Sequence, residues 1–249
     1  GVSIRPQIRA MHRGVHILVA TPGRLMDLYR QGHVSFDNVK FFILDEADRM
    51  LDMGFIGDVK KIASELHPDR QTVLFSATMP KAVKGLADSL LQNPETVEVA
   101  PAATTAKKIE QRVLFVAKDK KRDLLTNLLD DSAIERVLIF TRTKHGADRV
   151  ARNLQQAGIN SDAIHGNKAQ NARQRALNGF RSGKIRALVA TDIAARGIDV
   201  DGVTHVINFE LPNDPESYVH RIGRTARAGA EGVAISFCDR EERVFLRDI

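Results

Sequence analysis

Apolar runs of strand length recur along this chain, and each is followed by a polar turn and a stretch with helical periodicity. This alternation is typical of βαβ units, in which helices cover a parallel sheet. Because the runs are nearly continuous in apolar residues, the sequence predicts strands that are covered on both faces. The predicted strands are residues 16–20, 41–44, 72–75, 112–116, 137–140, 163–164, 187–190, 205–208 and 233–237.

The segment 100–106, Ala-Pro-Ala-Ala-Thr-Thr-Ala, lacks apolar periodicity and separates the predicted strands into two groups. A stretch of small residues between two structured parts is typical of a linker. The chain has 249 residues, which exceeds the usual size of one compact domain. We therefore predict a first domain at residues 1–100, a linker at 101–108 and a second domain at 109–249.

The chain is basic, with a formal net charge of +6 and an isoelectric point near 9.6. This balance suits a polyanionic partner, because Lys and Arg release counterions from phosphates, but it also serves solubility alone. The single cysteine, Cys238, cannot form an intrachain disulfide, and no apolar run is long enough to span a bilayer. We therefore expect a reducing, cytoplasmic setting without membrane contact.

The most specific local signal is the acidic segment 45–48, Asp-Glu-Ala-Asp, directly after the apolar run 41–44. Ligands of open α/β sheets bind at the carboxyl ends of strands, and Mg²⁺ prefers one or two carboxylates with waters and phosphate oxygens. Asp45 is therefore predicted to hold Mg²⁺ through water, and Glu46 to activate or position an attacking water. An acidic helix start, with carboxylates near the positive end of the dipole, explains the segment equally well.

Other motifs follow predicted strands, so their polar groups are expected to converge on one sheet edge. The first half contains Thr21-Pro22-Gly23-Arg24 and Ser76-Ala77-Thr78 in addition to the acidic segment. The second half contains the segments 196–199, Arg-Gly-Ile-Asp, and 220–227, His-Arg-Ile-Gly-Arg-Thr-Ala-Arg. Their order and spacing resemble the DEAD-box branch of superfamily 2 RNA helicases over essentially the whole chain. Within that family, segments 164–168 and 220–228 look most similar to the bacterial RhlE-like group.

The resemblance implies two RecA-like α/β domains with parallel sheets covered by helices, the first incomplete at its amino terminus. It also implies ATP and Mg²⁺ as ligands and RNA bound through its backbone with little sequence preference. ATP-driven closure of the two domains would unwind short duplexes or remodel RNA–protein complexes.

The resemblance assigns roles to individual residues of this sequence. The implied catalytic residues are Asp45, Glu46, Arg224 and Arg227. Nucleotide contacts or coupling roles are implied for Asp48, Ser76, Thr78, Asp199 and His220. The residues implied at the RNA backbone are Thr21, Pro22, Gly23, Arg24, Thr141, Arg142, Gly166, Gln170, Arg173, Thr191 and Asp192.

Several of these motifs also have an ordinary structural interpretation. Pro22 and Gly23 fit a tight turn that exposes backbone N–H groups. Ser76 and Thr78 suit capping of the next helix as well as the bond to Asp48 that the family implies. The RNA-facing candidates of the second half suit helix caps or surface helices.

The last motif contains two arginines, Arg224 and Arg227, three residues apart. On a helix they share one face and point together at developing phosphate charge, unless that face is simply solvated. The family commonly has Gly where this chain has Ala226, a change that we expect to be small. His220 is implied to couple motifs, and we do not assign it as a base.

The chain contains no Gly-x-x-x-x-Gly-Lys-Ser/Thr loop and no adenine-reading Gln segment. In the family both lie upstream of the region that matches Gly1, so we expect a fragment that is inactive by itself, from a parent that is an enzyme. Two rival functions stay open. One is a non-catalytic RNA-binding or scaffold protein, and the other is a DNA-directed superfamily 2 helicase with the same core.

Overall fold

The computed structural model describes residues 2–98, 109–195, 200–226 and 231–249. These residues divide into a first unit, residues 2–98, and a second unit, which comprises the others. The predicted linker at 101–108 lies outside the described residues, and the domain boundaries stay predictions. Among the described residues, no helix is both long enough and apolar enough to cross a membrane.

The first unit contains a parallel pair of strands packed on helices. Its elements are α1 (Arg5–His12), α2 (Pro22–Arg30), β1 (Phe41–Leu44), α3 (Ala47–Asp52), α4 (Ile56–Glu65), β2 (Gln71–Leu74) and α5 (Lys81–Leu90). The pairing of β1 with β2 is parallel and begins with Phe41 opposite Gln71. Buried apolar side chains from α2, β1, α4 and α5 form its core: Met26, Leu44, Val59, Ile62 and Leu86.

Two predictions for the first unit are wrong. Residues 16–20 form no strand, and Ile17 and Val19 are 84% and 92% exposed. An apolar run becomes a strand only where a neighbour accepts its hydrogen bonds, and the described residues pair only β1 with β2 in this sheet. Coverage of both faces also fails here, because Phe41 and Ile43 are 67% and 60% exposed while Leu44 is buried.

The second unit is built on a parallel sheet that has six strands within the described residues. They are β3 (Ile109–Phe115), β4 (Val137–Phe140), β5 (Ser161–Ile164), β6 (Ala187–Ala190), β7 (His205–Asn208) and β8 (Gly232–Cys238), in the order β3-β8-β7-β4-β6-β5. The helices are α6 (Lys121–Leu129), α7 (Lys144–Gln156), α8 (Gln170–Arg181), α9 (Asp192–Ala195), α10 (Pro215–Ile222) and α11 (Arg243–Asp248). Since β4, β6 and β5 are neighbours, the segments that follow them share one edge.

Both faces of the central strands β4 and β6 are covered, which confirms the interpretation of their continuous apolar runs, whereas the edge strand β3 is mostly exposed. All four residues of β4 and of β6 are buried. On one face Ile139 and Val189 pack with α6 and α7, and on the other Leu188 packs with Phe180 of α8. The predicted strands at 41–44, 137–140, 187–190 and 205–208 match residue for residue, and the others except 16–20 differ only at their ends.

Candidate functional site

The acidic segment 45–48 begins where β1 ends. Asp45 and Glu46 are both exposed, and the N–H of Glu46 donates to Asp45 Oδ1 at 2.9 Å. Glu46 has φ 54° and ψ 52°, in the left-handed region that residues with a Cβ rarely adopt. Such strain persists only where the surrounding structure holds it, and it clusters at functional sites. The backbone therefore marks Glu46 as a site candidate independently of the motif.

Asp48 is buried at the start of α3, and its carboxylate joins the acidic segment to the loop after β2. Oδ2 accepts hydrogen bonds from the N–H of Thr78 at 2.9 Å and from its hydroxyl at 3.0 Å. The N–H of Asp48 donates to Ser76 Oγ at 3.1 Å, and that hydroxyl donates to the carbonyl of Thr78. The implied contact of both hydroxyl residues with Asp48 is therefore confirmed. The capping alternative is wrong, since α5 begins after Pro80 without a side-chain cap.

The hydrogen bonds of Asp48 give it a pH-dependent effect on stability. Burial raises the pKa of its carboxyl, but the bonds from Thr78, Arg49 and Ser76 outweigh burial, and the net pKa is lowered. A carboxyl whose folded pKa lies below its unfolded pKa stabilises the fold above the unfolded pKa. That stability is lost as the pH falls through the folded pKa.

We expect Asp48→Asn to lower the free energy of unfolding at pH 7 by about 1.5–3 kcal/mol, the range for hydrogen bonds to a charged group. The difference from the native chain should shrink as the pH falls below about 4, where the unfolded-state carboxyl protonates. Urea titrations at pH 7 and pH 3 measure both values. Asp69→Asn is the matched control, because Asp69 is exposed beside Lys40 and should contribute less than about 1 kcal/mol. A loss for Asp48→Asn that is the same at both pH values would contradict the assignment.

The segment 21–24 does not form the predicted tight turn. Pro22 and Gly23 lie in the first turn of α2, and the carbonyl of Thr21 accepts the N–H of Leu25. The turn prediction is wrong because proline at the first helical position has its φ already set for the helix. Arg24 Nη1 donates to Gln7 Oε1 at 2.5 Å, which ties α2 to α1.

The predicted RNA-facing residues of the second unit follow β4, β5 and β6 and so come to one edge of the sheet. Thr141 is fully buried, and its hydroxyl donates to the carbonyl of Thr143. Thr143 caps α7 by accepting the N–H of Gly146 at 3.0 Å, and the carbonyl of Thr191 starts α9. Gly166 is exposed, and among the described residues beyond its chain neighbours no atom lies within 4 Å of the position that a Cβ would take. At this edge Thr143 and Thr191 therefore serve the starts of helices, whereas Gly166 leaves its backbone accessible to a ligand.

Gln170 and Arg173 lie in the first turn of α8. Arg173 Nη1 donates to Gln170 Oε1 at 3.3 Å. Arg173 Nε is buried and has no hydrogen-bond partner among the described residues. Buried donors are nearly always paired, so an unpaired one calls for an explanation. A ligand oxygen at this edge would supply the missing acceptor.

Arg142 is held between two carboxylates that the sequence analysis did not identify. Its backbone N–H donates to Glu210 Oε2 at 2.7 Å, and its guanidinium lies 3.7 Å from Glu242 Oε1. The guanidinium also lies 5.4 Å from the centre of the Phe245 ring. These partners are distant in sequence and belong to no motif, so no local signal pointed to them.

A buried ionic network lies next to Arg142. Lys121 Nζ contacts Glu242 Oε2 and lies 3.1 Å from Asp239 Oδ2. Glu242 is fully buried and also accepts the N–H of Leu211 at 3.1 Å. The network fixes α6, the loop after β7 and the loop after β8 to one another, and it places a carboxylate beside Arg142.

Asp192 is bound by a buried arginine to which the sequence analysis gave no role. Arg221 is 1% exposed and donates to both carboxylate oxygens of Asp192, at 2.5 and 2.8 Å. It also donates to Asn208 Oδ1 and to the carbonyl of Glu210. This bidentate ion pair fixes the orientation of both side chains. The RNA contact of Asp192 stays a prediction, and its evident role is to hold α9 against α10.

The expectation that Arg224 lies on a helix is wrong, and the expectation that it shares a face with Arg227 stays a prediction. Helix α10 ends at Ile222, and Arg224 lies in the turn that follows, with Nε donating to the carbonyl of His220 at 3.1 Å. His220 and Arg224 line a small cavity together with Asp192. Arg227 and Asp199 lie outside the described residues.

The turn after α10 is strained at Ala226, where φ is 54°. A Cβ in left-handed backbone costs roughly 1–2 kcal/mol. The expectation that Ala in place of the family's common Gly is a small change is therefore wrong. Gly232, at the start of β8, packs against the same turn. A Cβ there would lie 2.8 Å from the backbone N of Ala226 and closer still to the Thr225 side chain.

We expect Gly232→Ala to lower the free energy of unfolding of the second unit by about 3 kcal/mol, because backbone would have to move. Ala226→Gly should raise it by about 0.5–1 kcal/mol by relieving the strain. Gly85→Ala is the matched control, since Gly85 lies in α5 with open space around it and should gain about 0.5–1 kcal/mol. Denaturant titrations compare the three. Equal changes in the free energy of unfolding for Gly232→Ala and Gly85→Ala would show that Gly232 is not closely packed against the turn.

The residues at the end of β1 suit a magnesium ion shared with a phosphate ligand. Asp45 and Glu46 are adjacent, exposed carboxylates at the carboxyl end of a parallel strand. Mg²⁺ keeps several waters and combines one or two carboxylates with substrate phosphates. Within the described ranges, no group of three or more His, Cys, Asp or Glu side chains is placed to hold a metal ion.

Comparisons with known proteins agree with this geometry. The model of the DEAD/DEAH box helicase family matches residues 1–86, and that of the helicase conserved C-terminal domain matches residues 120–229. The DEAD-box ATP-dependent RNA helicase CshA of Bacillus subtilis is 47% identical over 249 residues, which are 100% of this chain and 50% of that protein. The chain spans about half the length of the curated relatives it matches.

Solved helicase structures share the fold. S. cerevisiae Dbp5 bound to RNA and ADP BeF3 has a TM-score of 0.81 and 36% identity, over 92% of this chain and 61% of that one. A hypothetical ATP-dependent RNA helicase from Sulfolobus tokodaii has a TM-score of 0.54 and 33% identity, over 100% of this chain and 72% of that one.

Parallel-sheet α/β units with polar motifs at their strand ends thus define the class as a RecA-like helicase core. The chain belongs to the DEAD-box family of RNA helicases. The RhlE-like assignment within the family stays a prediction.

Proposed function

We propose that this chain supplies most of an ATP-dependent RNA helicase core, in which closure of the two units on ATP and RNA unwinds short duplexes or remodels RNA–protein complexes. The observation that carries the proposal is the contact of Asp48 with Ser76 and Thr78, which joins two motifs at one sheet edge. The relatives named ATP-dependent RNA helicases support it. A cytoplasmic location completes the proposal, supported by the lone buried thiol of Cys238.

The first unit would bind the reacting end of the nucleotide. Asp45 would hold Mg²⁺ through water, and the ion would neutralise charge on the phosphates. Glu46 would accept a proton from the attacking water or orient it. Asp48, through Ser76 and Thr78, would connect hydrolysis to movement of the loop after β2.

The second unit would complete the site and carry part of the RNA. Arg224 and Arg227 would donate to charge that develops on the transferred phosphoryl group, Asp199 would bind the ribose, and His220 would couple the motifs. The unpaired Arg173 Nε and the open backbone at Gly166 support RNA contacts at the edge formed after β4, β6 and β5. The RNA contacts proposed as a set are Thr21, Pro22, Gly23, Arg24, Thr141, Arg142, Gly166, Gln170, Arg173, Thr191 and Asp192.

The test uses an extended chain, in which the segment of the Bacillus subtilis relative that precedes its match to Gly1 is placed before Gly1. We expect Glu46→Gln in the extended chain to reduce ATP turnover by at least about 10²-fold, the lower range for loss of a general base. ATP-dependent binding of RNA should persist, because the amide keeps the size of the side chain. Turnover and RNA affinity are measured side by side. Turnover that is unchanged in Glu46→Gln would overturn the role of Glu46. Absence of turnover in the extended chain itself would overturn the proposal and favour the non-catalytic RNA-binding alternative.

A further inference from the structure

The first 26 residues contain four arginines and no Asp or Glu, although the chain as a whole has 31 acidic residues. Three of these arginines, Arg5, Arg9 and Arg13, are spaced four residues apart along α1 and its carboxyl cap. Side chains at this spacing lie on one face of a helix, about 6 Å apart along its axis. We name these three residues the basic stripe.

The basic stripe is exposed and lacks counter-charges. All three side chains are solvent-exposed, and no carboxylate of the described residues pairs with them. Three like charges on one helix face repel one another, so they destabilise the helix slightly when no anion is present. The three arginines thus lower the stability of the helix without forming an ion pair among the described residues, which points to an anion outside the chain as their partner.

The opposite face of α1 connects the basic stripe to the proposed RNA surface. Gln7 accepts a hydrogen bond from Arg24 of α2, and Arg24 also donates to the carbonyl of Val2. Ile8 and Met11 are half-buried, which anchors α1 on the first unit. The stripe therefore belongs to a helix that is fixed next to the segment 21–24.

The chemistry of the stripe favours RNA over a membrane or a peptide. An interfacial membrane helix presents large apolar side chains to lipid, whereas the large apolar residues of α1, Ile8 and Met11, are half-buried. A peptide site needs a buried apolar anchor, and the exposed neighbours of the stripe are Pro6, Ala10 and His12. Arginine engages phosphate oxygens through two parallel N–H bonds, so three arginines along one helix face can contact several phosphates of one strand.

We propose that the basic stripe binds the phosphates of RNA that flanks the segment held at the core site. This inference rests on the proposed function, since it presupposes that RNA occupies the surface around the segment 21–24. It assigns to Arg5, Arg9 and Arg13 a contact that lengthens the bound RNA without adding sequence preference.

The experiment measures the affinity of the 249-residue chain for uridine oligonucleotides of about 8 and about 20 nucleotides, a range that brackets common single-strand site sizes. Arg5→Gln, Arg9→Gln and Arg13→Gln are combined in one variant. The matched control combines Lys60→Gln, Lys61→Gln and Lys84→Gln, which removes the same charge from exposed residues of α4 and α5. A third variant has Lys at all three stripe positions. Equal melting temperatures confirm that the variants fold.

With the longer RNA, the Gln variant should reduce the slope of log affinity against log salt by about 2, at roughly 0.7 per lost phosphate contact. The Lys variant should keep most of the slope, and the control should keep nearly all of it. With the shorter RNA all variants should bind alike. Equal losses of RNA affinity in the Gln variant and in the control would overturn the proposal. It would also be overturned if the Gln variant lost as much affinity for polyglutamate, a polyanion without phosphates, as for RNA.

The outcomes separate this inference from the proposed function. If the Gln variant binds both RNAs normally, only the proposed RNA contact of the basic stripe is overturned. Failure of the native chain to bind either RNA overturns the RNA part of the proposed function and the stripe with it.

Discussion

Replacing Arg227 by Ala in the extended chain should lower the ATP turnover number by about 10³- to 10⁵-fold, the range that a positioned arginine contributes in related nucleotide hydrolases. Phosphoryl transfer gains mainly from positioned charge, and under the proposed function the guanidinium groups would come from the second unit while Asp45 and Glu46 belong to the first. Hydrolysis should therefore require closure of the units. Arg224→Ala should act in the same direction, with an added loss of the contact to the carbonyl of His220.

Controls separate this role from a simple basic surface. Arg227→Lys should recover little turnover, because an ammonium lacks the planar fork that engages two phosphate oxygens. Arg247→Ala removes an exposed arginine of α11 and should leave turnover unchanged. RNA affinity without nucleotide should barely change in any of these variants. Normal turnover with a weaker, less salt-dependent RNA affinity would reject the role of Arg227.

Replacing Lys121 by Met should lower the free energy of unfolding of the second unit by about 3–5 kcal/mol, since removal of one partner leaves buried charges uncompensated. The carboxylates of Asp239 and Glu242 lose their common cation, and both are at least 95% buried. Lys118→Met provides the matched control. Lys118 lies 2.8 Å from Glu241, but that pair is exposed and screened by solvent, so its loss should change the free energy of unfolding little.

A neutral triple variant, Lys121→Met with Asp239→Asn and Glu242→Gln, should recover part of the lost stability because it removes the stranded charges. Denaturant titrations of all four proteins give the comparison. Similar losses for Lys121→Met and Lys118→Met would show that the buried network contributes no more than a surface pair. RNA affinity measured on the same four proteins would show whether RNA binding through Arg142 depends on the Glu242 carboxylate beside it.

Most of the second unit could be predicted from the sequence, because its central strands β4 and β6 are apolar along their whole length and buried on both faces. Residues 137–140 and 187–190 are examples, and their limits match the prediction. The run at 16–20 is apolar after His16 but forms no strand. Hydrophobicity signals burial, whereas a strand also needs a hydrogen-bonding neighbour, and a single sequence does not show which neighbour is present.

The candidate site was predictable at the level of segments but not of atoms. The order of motifs after strands correctly brought 45–48 and 76–78 together, because parallel strands end at one edge. The contacts of Arg221 and Lys121 were missed, since their carboxylate partners lie 29 to 121 residues away and belong to no pattern. The end of α10 before Arg224 was missed because the spacing of two arginines says nothing about where a helix stops.

The most direct test of the proposed function is the steady-state rate of ATP hydrolysis by the extended chain, with RNA, with DNA of the same sequence and with neither. The account predicts a rate that rises strongly with RNA and little with DNA, because contacts to 2′-hydroxyls distinguish the two. Equal stimulation by RNA and DNA would favour the DNA-directed alternative. A rate that neither nucleic acid changes would contradict an RNA-driven closure of the two units.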